Sequence, residues 1–143
     1  MTPSLTLGIV KPDAVGSGKT GKILAHLEQA GFTLRAARLV RLTREQASAF
    51  YSVHRERPFF ADLVTFMTSG PCLPMALGRV DAVAQLRTAI GATDPNEAAP
   101  GTVRKLYAES KGRNAIHASD NPENAVREVA FFFSESDLAG LWG

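Results

Sequence analysis

Four short runs of strand-forming residues alternate with helical patterns along the chain, and this order is what most restricts its fold. The runs lie at 5–10, 33–42, 72–78 and 128–133. The last run is rich in phenylalanine, and a helix is the competing interpretation there. Lys11-Pro12 ends the first run. Because proline keeps the residue before it extended, we expect Lys11 at the strand exit with its ammonium group directed out of the core.

Helices are predicted between these strands. Thr43 and Gln46 form a capping box that begins a pair of helices, interrupted at 55–58 and ending near 68. Asp81 is predicted to cap the helix after the third strand, and Asn121-Pro122 is typical of a helix start. Further helices are predicted over 21–30, over 102–109 and from 134 towards Trp142.

Without the helix pair 43–68, the predicted order is βαββαβ. This order is typical of the α+β class and predicts a ferredoxin-like sandwich with a four-stranded antiparallel sheet. The helix pair and the long loop 91–121 before the last strand are additions to that scaffold, and such additions often carry function. A chain of 143 residues is about one domain, so 1–143 is interpreted as a single domain.

Composition argues against several classes of protein. The net charge of +2 is too small to argue for a nucleic-acid coat or an anionic membrane as a partner. No apolar run approaches the roughly 20 residues of a membrane span, and no signal peptide is recognisable, so a cytoplasmic protein is expected. Cys72 is the only cysteine, which excludes an internal disulfide and favours a buried, inert thiol.

The polar segment 114–128 contains His117, followed by Ser119, Asp120 and Glu128. A neutral imidazole is a nucleophile at pH 7, and a neighbouring carboxylate can fix its tautomer and stabilise the cation formed on attack. Taken alone, a histidine in a loop is more often a solvated or structural residue. Other clusters in the chain favour the catalytic interpretation.

A set of cations and loop residues could bind phosphate groups. Lys11, Arg87 and Arg104 stand at element ends or beside loops, and phosphoryl transfer needs cations around the phosphate oxygens. Thr93 and Asn114 could donate hydrogen bonds to phosphate or sugar. Each cation alone is also explained as a solvated surface charge, and each loop residue as a loop cap.

Three aromatic residues of the helix pair have two interpretations. An exposed Phe59 could stack on a nucleobase, whereas a buried Phe59 would belong to the core or to a subunit interface. Tyr51 and His54 share a helical stripe with Phe50, so packing between helices is the simpler account of both.

The segment G-S-G-K-T at 16–20 partly matches a phosphate-binding P-loop. The full pattern would require glycine at position 13, where Asp13 would repel phosphate, so a solvated turn is the preferred interpretation. A P-loop-type kinase acting through Lys19 remains one alternative function. A non-catalytic nucleotide or nucleic-acid binder is another, since ferredoxin-like sheets often bind RNA through exposed aromatic residues.

Four stretches of the sequence together resemble the nucleoside diphosphate kinase family. They are I-V-K-P-D-A-V, F-Y-S-V-H-R-E-R-P-F-F, G-A-T-D-P-N-E-A-A-P-G-T-V-R, and N-A-I-H-A-S-D with Glu128. The similarity runs from about 5 to 133 in the family's order and spacing. It implies transfer of the γ-phosphoryl group of a nucleoside triphosphate such as ATP to a nucleoside diphosphate, by a ping-pong mechanism through a phosphohistidine.

The resemblance also implies a role for each candidate residue. His117 would be the nucleophile, Glu128 and Ser119 would hold its other ring nitrogen, and Tyr51 would line the pocket beside it. Lys11 would act on phosphate and, with Asn114, on the ribose hydroxyl, while Phe59 would stack on the base. The complete predicted nucleotide-binding set is Lys11, His54, Phe59, Arg87, Thr93, Arg104 and Asn114.

Family members use Mg²⁺ that is held mainly by the nucleotide, and the resemblance implies that Asp120 would contact this ion through water. Family members also form tetramers or hexamers built from a common dimer. Nucleic acid and membrane are not implied as partners. The sequence departs from the family pattern at three positions. Ala118 replaces the usual glycine, Lys111 an apolar residue beside the base, and Leu106 an aspartate.

Overall fold

The computed structural model describes residues 2–139, and twelve helices and strands follow one another within that range. A single 3₁₀ turn, Ser52–His54, lies between α3 and α4. The elements are β1 (Ser4–Val10), α1 (Pro12–Gly16), α2 (Thr20–Gln29), β2 (Thr33–Ala37), α3 (Arg44–Phe50), α4 (Phe60–Met67), β3 (Leu73–Arg79), α5 (Ala82–Ile90), α6 (Val103–Tyr107), β4 (Ile116–Ala118), α7 (Pro122–Phe132) and α8 (Glu135–Ala139).

The four strands form one sheet in the order β2-β3-β1-β4, and every neighbouring pair is antiparallel. With α3 and α4 set aside as an insertion, the order of strands and main helices is βαββαβ. The predicted α+β class and ferredoxin-like arrangement are therefore confirmed. β1, one of the two central strands, pairs with β3 along its whole length and with β4 only near its C-terminal end.

The prediction of the last strand is wrong. Residues 128–133 lie in the second half of α7 and just beyond it, and the fourth strand is the three-residue β4 that precedes them. Asn121 caps α7 by accepting a hydrogen bond from the N–H of Asn124, and Pro122 follows at the first helical position. Ala125, Val129 and Phe132 then recur at helical spacing and are buried, so helical periodicity outweighs the strand preference of the phenylalanines.

Smaller differences follow from local chemistry. The solvated turn expected at 16–20 is shorter in the structure, because α1 ends at Gly16 and α2 begins at Thr20. Helix α1 itself begins at Pro12, since proline suits the first turn of a helix. β2 ends at Ala37 after a register shift between Leu34 and Ala36, and Val40 then makes an isolated bridge to Cys72. Asp81 precedes α5 in a left-handed conformation, and its side chain accepts no hydrogen bond from the first turn, so the predicted side-chain cap is wrong there.

The other local predictions are close to the structure. The capping box of Thr43 and Gln46 is present at the start of α3. Helices at 21–30 and 102–109 correspond to α2 and α6, and the predicted C-terminal helix begins as α8. Trp142, towards which this helix is predicted to run, lies outside the described residues.

Hydrophobic clusters pack on both faces of the sheet, and the alternation of β1 assigns side chains to each. Leu7 and Ile9 belong to the cluster under α3, α4 and α7, whereas Val10 belongs to the cluster under α2 and α5. The C-terminal end of β1 and the adjacent β4 thus lie between two packed hydrophobic clusters. No helix within residues 2–139 is long and apolar enough to cross a membrane.

Candidate active site

His117 is the middle residue of β4 and lies opposite Ile9 of β1. Residues directly opposite in a sheet place their side chains on the same face. The imidazole is therefore on the side of α3 and α7. The ring of Phe50 approaches it edge-on with centroids 5.3 Å apart, and the ring of Tyr51 does so at 5.8 Å. These contacts leave 17% of the imidazole side chain exposed.

Glu128 fixes one nitrogen of that imidazole. Its Oε1 lies 2.8 Å from Nε2 of His117 and accepts a hydrogen bond from the hydroxyl of Ser119, also at 2.8 Å. Burial opposes ionisation of Glu128, but the bonds from His117 and Ser119 outweigh it and hold the pKa of the carboxyl below its usual value. Because an ionised carboxylate only accepts hydrogen bonds, Nε2 carries a proton, and in the neutral imidazole the lone pair is then on Nδ1.

Lys11 stands where β1 passes into α1, with the extended backbone expected before proline. Its Nζ donates to Oδ1 of Asn114 at 2.9 Å, and Nδ2 of Asn114 donates to the carbonyl of Thr93 at 3.4 Å. Burial and the positive charge of Arg104 lower the pKa of Lys11 to about 8, while the carboxylate of Asp13 acts in the opposite direction. Three residues predicted from distant parts of the chain are thereby joined.

Arg104 is buried on α6, and its guanidinium reaches the strand that carries His117. Nη2 donates to the carbonyl of Ile116 at 2.8 Å and Nη1 to that of Gly91 at 3.0 Å. Gly91 has φ of 88°, and a Cβ there would lie 2.6 Å from the hydroxyl of Thr102. Glycine at this position therefore permits both the backbone conformation and the close packing of Thr102. Burial and the charge of Arg87 lower the pKa of Arg104 to about 10, which leaves it charged at neutral pH.

The three predicted cations therefore influence one another in series. Arg104 lowers the pKa of Lys11, and Arg87 lowers that of Arg104. Nη1 of Arg87 also pairs with Oδ1 of Asp120 at 3.1 Å, in an exposed ion pair. Lys11 and Arg104 repel one another while carbonyl oxygens hold both of them. The two cations are therefore already arranged for a polyanion, because an anion relieves the repulsion without reorganising their side chains.

Phe59 and His54 form a separate aromatic pair between α3 and α4, with ring centroids 5.4 Å apart. Phe59 is 47% exposed, which favours the stacking interpretation over the core one. Tyr51 is buried, and its hydroxyl has no hydrogen-bond partner among the described residues. Burial, with smaller contributions from Cys72 and Glu128, raises the pKa of Tyr51, so the hydroxyl stays protonated and can only be a neutral donor or acceptor.

The segment 16–20 does not have the arrangement of a P-loop. Helix α1 separates it from β1, and the ammonium group of Lys19 donates to the carbonyl of Tyr107 at the end of α6. Two further residues at the site are not identified by sequence reasoning. Phe50 packs on His117 although its pattern indicates only helix packing, and Asp13 accepts a hydrogen bond from the N–H of Ala115, two residues before His117.

The departures from the family pattern leave these contacts intact. Ala118 pairs with Gly8 in the β4–β1 ladder and is not among the described residues with positive φ, so its methyl group is accommodated. Leu106 is 53% exposed on α6, and the guanidinium of Arg104 is held by backbone carbonyls. Lys111 is exposed in the loop before β4.

Comparisons with known proteins agree over nearly the whole chain. The family model described as nucleoside diphosphate kinase matches residues 4–138. The nucleoside diphosphate kinase of Chlorobium chlorochromatii is 57% identical over 133 residues, which cover 93% of this chain and 95% of that protein. The enzyme of that name from Legionella pneumophila is 51% identical over 138 residues, covering 96% and 98% respectively.

Solved structures are similar to the same extent. The nucleoside diphosphate kinase of Aquifex aeolicus superposes with a TM-score of 0.93 at 48% identity, over 96% of this chain and 99% of that one. A halophilic nucleoside diphosphate kinase from Halobacterium salinarum, solved in complex with CDP, gives a TM-score of 0.90 at 38% identity, over 99% and 98%.

Proposed function

Because the chain belongs to the nucleoside diphosphate kinase family, we propose that it transfers the γ-phosphoryl group of ATP or another nucleoside triphosphate to a nucleoside diphosphate, through a phosphohistidine at His117. The observation that carries the proposal is the contact between Glu128 and Nε2 of His117. It leaves Nδ1 as the nucleophile, on a ring that protein contacts already orient.

The reaction has two similar halves. In the first, the lone pair of Nδ1 attacks the γ-phosphorus of the donor, the bond from that phosphorus to the bridging oxygen breaks, and its electron pair leaves with the nucleoside diphosphate. In the second, a terminal β-phosphate oxygen of the acceptor attacks the phosphohistidine, and the electron pair of the N–P bond returns to Nδ1. Glu128 stabilises the positive ring between the two steps, and Ser119 holds the carboxylate.

The cations bind the nucleotide's phosphates in this proposal. Lys11, Arg87 and Arg104 surround the transferring group, which needs charge stabilisation more than covalent help. Thr93 and His54 assist them, while Asn114 reaches the ribose hydroxyl together with Lys11. Phe59 stacks on the base, and Tyr51 lines the pocket beside His117.

A magnesium ion fits this site only as part of the nucleotide. Within residues 2–139, no three His, Cys, Asp or Glu side chains are placed to hold a metal ion together. Mg²⁺ would neutralise phosphate oxygens on the bound nucleotide, and Asp120 would contact it through water.

The remaining features of the proposal rest on the family. We infer a single domain over 1–143 that assembles as a homo-oligomer, a tetramer or hexamer built from dimers, in the cytoplasm. A nucleic-acid partner is disfavoured by the net charge of +2.

The test is incubation of the purified protein with γ-labelled ATP and no acceptor. We expect one acid-labile, base-stable phosphoryl group per chain, discharged by any added nucleoside diphosphate, and no label on His117→Ala. Lys19→Ala is the matched control, because Lys19 binds the end of α6 rather than the site. Normal labelling of His117→Ala would overturn the assignment of His117 as the nucleophile. Loss of activity only in Lys19→Ala would favour the P-loop alternative. Nucleotide binding without turnover would favour a non-catalytic nucleotide-binding protein.

A further inference from the structure

The backbone is strained two residues before His117. Ala115 has φ of 74°, and the N–H of Ile116 donates to the carbonyl of Asn114 at 2.9 Å, which closes a γ-turn centred on Ala115. A γ-turn with positive φ at its centre is the rare, strained form. A side chain at the centre adds to the strain, and such a backbone persists only where its surroundings hold it.

The turn joins several parts of the proposed site. Asn114, on its N-terminal side, accepts a hydrogen bond from Lys11, while Ile116, on its C-terminal side, accepts one from Arg104. The catalytic histidine follows Ile116 directly. A change in the conformation of Ala115 would therefore move the nucleophile relative to two phosphate-binding cations.

Contacts from the segment after β1 hold this turn. The pairing of β1 with β4 ends at Val10 and Ile116, and the N–H of Lys11 then donates to the carbonyl of Ala115 at 2.9 Å. The N–H of Ala115 donates to Oδ2 of Asp13 at 3.1 Å. The carboxylate thus takes the position that a strand carbonyl would have, at the point where the chain turns into α1.

We propose that Asp13 is a positioning residue for phosphoryl transfer: its carboxylate holds Ala115 in the left-handed conformation and so fixes His117 relative to Lys11 and Arg104. Asp13 is 6% exposed and Ala115 is fully buried, so water cannot replace this hydrogen bond easily. The inference rests on the proposed function, because its effect is on phosphorylation of His117.

The second oxygen of Asp13 supports this role. Oδ1 is buried and has no hydrogen-bond partner within the described part of the chain. A buried carboxylate with an unbonded oxygen is costly in free energy and calls for a compensating role. Its negative charge also opposes the effects of burial and of Arg104 on Lys11, and so helps to keep that ammonium group protonated.

The test measures the single-turnover rate of His117 phosphorylation by ATP in four variants. We expect Asp13→Ala to lower the rate by on the order of 100-fold, since a misplacement of reacting groups by about 1 Å can cost that much. Asp13→Asn should keep most of the rate, because its amide oxygen can still accept from Ala115. Asp13→Ala combined with Ala115→Gly should regain most of the lost rate, since glycine adopts positive φ without strain. Ala115→Gly alone provides the reference for that comparison.

A matched control distinguishes relief of backbone strain at Ala115 from a general gain in the stability of the protein. Asp81 is the other non-glycine residue with positive φ within residues 2–139, at 57°, and it lies before α5. Asp81→Gly should not restore the rate of Asp13→Ala. If the alanine variant does not fold, Asp13→Ser gives the same comparison, because its hydroxyl is too short to replace the contact with Ala115.

The outcomes distinguish this inference from the proposed function. Equal rates for wild type and Asp13→Ala, no recovery with Ala115→Gly, or equal recovery with Asp81→Gly would overturn the positioning role while leaving the phosphohistidine intact. A wild-type protein that takes no phosphate from ATP would instead overturn the proposed function.

Discussion

Oε1 of Glu128 on α7 lies 2.8 Å from Nε2 of His117 on β4. The two elements are joined by only a short connection, so the helix that follows the strand returns the carboxylate to the imidazole. With Ser119 bound to the same oxygen, the carboxylate is held from two sides and cannot rotate away without breaking both bonds. The pair determines which ring nitrogen is free to react.

Glu128→Gln should reduce the rate of His117 phosphorylation by on the order of 100-fold, because a neutral amide does not stabilise the positive ring and no longer fixes its tautomer. Ser119→Ala should cost less, since Glu128 keeps its bond to the imidazole. Rapid-quench measurement of the first phosphoryl transfer checks both. A rate for Glu128→Gln equal to that of wild type, with the variant fully folded, would contradict the assigned role.

The pKa of Lys11 predicts a loss of activity at alkaline pH. Burial and Arg104 lower this pKa to about 8, with Asp13 opposing them, so the ammonium group becomes neutral as pH rises through that value. We expect kcat/KM for ATP, which reports the free enzyme, to fall over the same range, and kcat to fall at higher pH because bound phosphate stabilises the charge. The pH profile of Lys11→Arg, which stays charged, should lack this decline. A profile that stays level to pH 10 in wild type would contradict the prediction.

Phe59→Ala should raise the KM for every nucleotide by a similar factor. Stacking of a base on an aromatic ring is worth about 1–3 kcal/mol and depends little on the identity of the base, so a rise of about 5–150-fold is expected. Steady-state kinetics with purine and pyrimidine diphosphates measure it. Val53→Ala is the control, because Val53 is another exposed apolar residue of the same insertion, at 71% exposure. An effect confined to one base would indicate specific hydrogen bonding instead.

Thr43→Ala should lower stability without affecting the site. Its hydroxyl accepts from the N–H of Gln46 at 3.1 Å, and the side chain of Gln46 accepts from the N–H of Thr43 at 2.9 Å. Loss of this cap should reduce the free energy of unfolding by about 1 kcal/mol, measured by urea denaturation. Thr43→Ser keeps the hydroxyl and should lose much less. Equal losses in both variants would show that the cap is not the cause.

Long, periodic elements of the fold could be predicted from sequence, whereas the strand that carries His117 could not. β1 and β3 each have seven residues and recognisable boundaries. β4 has three residues, too few to show any period, and it is held by pairing with β1 and by the turn at Ala115. The phenylalanines at 131–133 favour a strand by residue preference, whereas the cap at Asn121 and the helical spacing after it favour a helix, which is what the structure contains.

The proposed site likewise has features that the sequence predicts and features that it does not. Several spaced motifs that together resemble one family identify its side chains, whereas composition and periodicity give each residue an ordinary structural explanation. The contacts among them depend on folding: Lys11 meets Asn114 across 103 positions of sequence, and Arg104 meets a carbonyl of β4. In the sequence, Asp13 only argues against a P-loop, because nothing local to it reveals the strained backbone that it contacts.

The most direct test of the proposed mechanism is to identify which nitrogen of His117 carries the phosphate. Protein phosphorylated with ATP can be denatured at alkaline pH, where phosphohistidine is stable, and examined by ³¹P NMR against the two isomeric standards. The contact between Glu128 and Nε2 predicts phosphate on Nδ1 alone. Phosphate on Nε2, or on a residue other than His117, would contradict it.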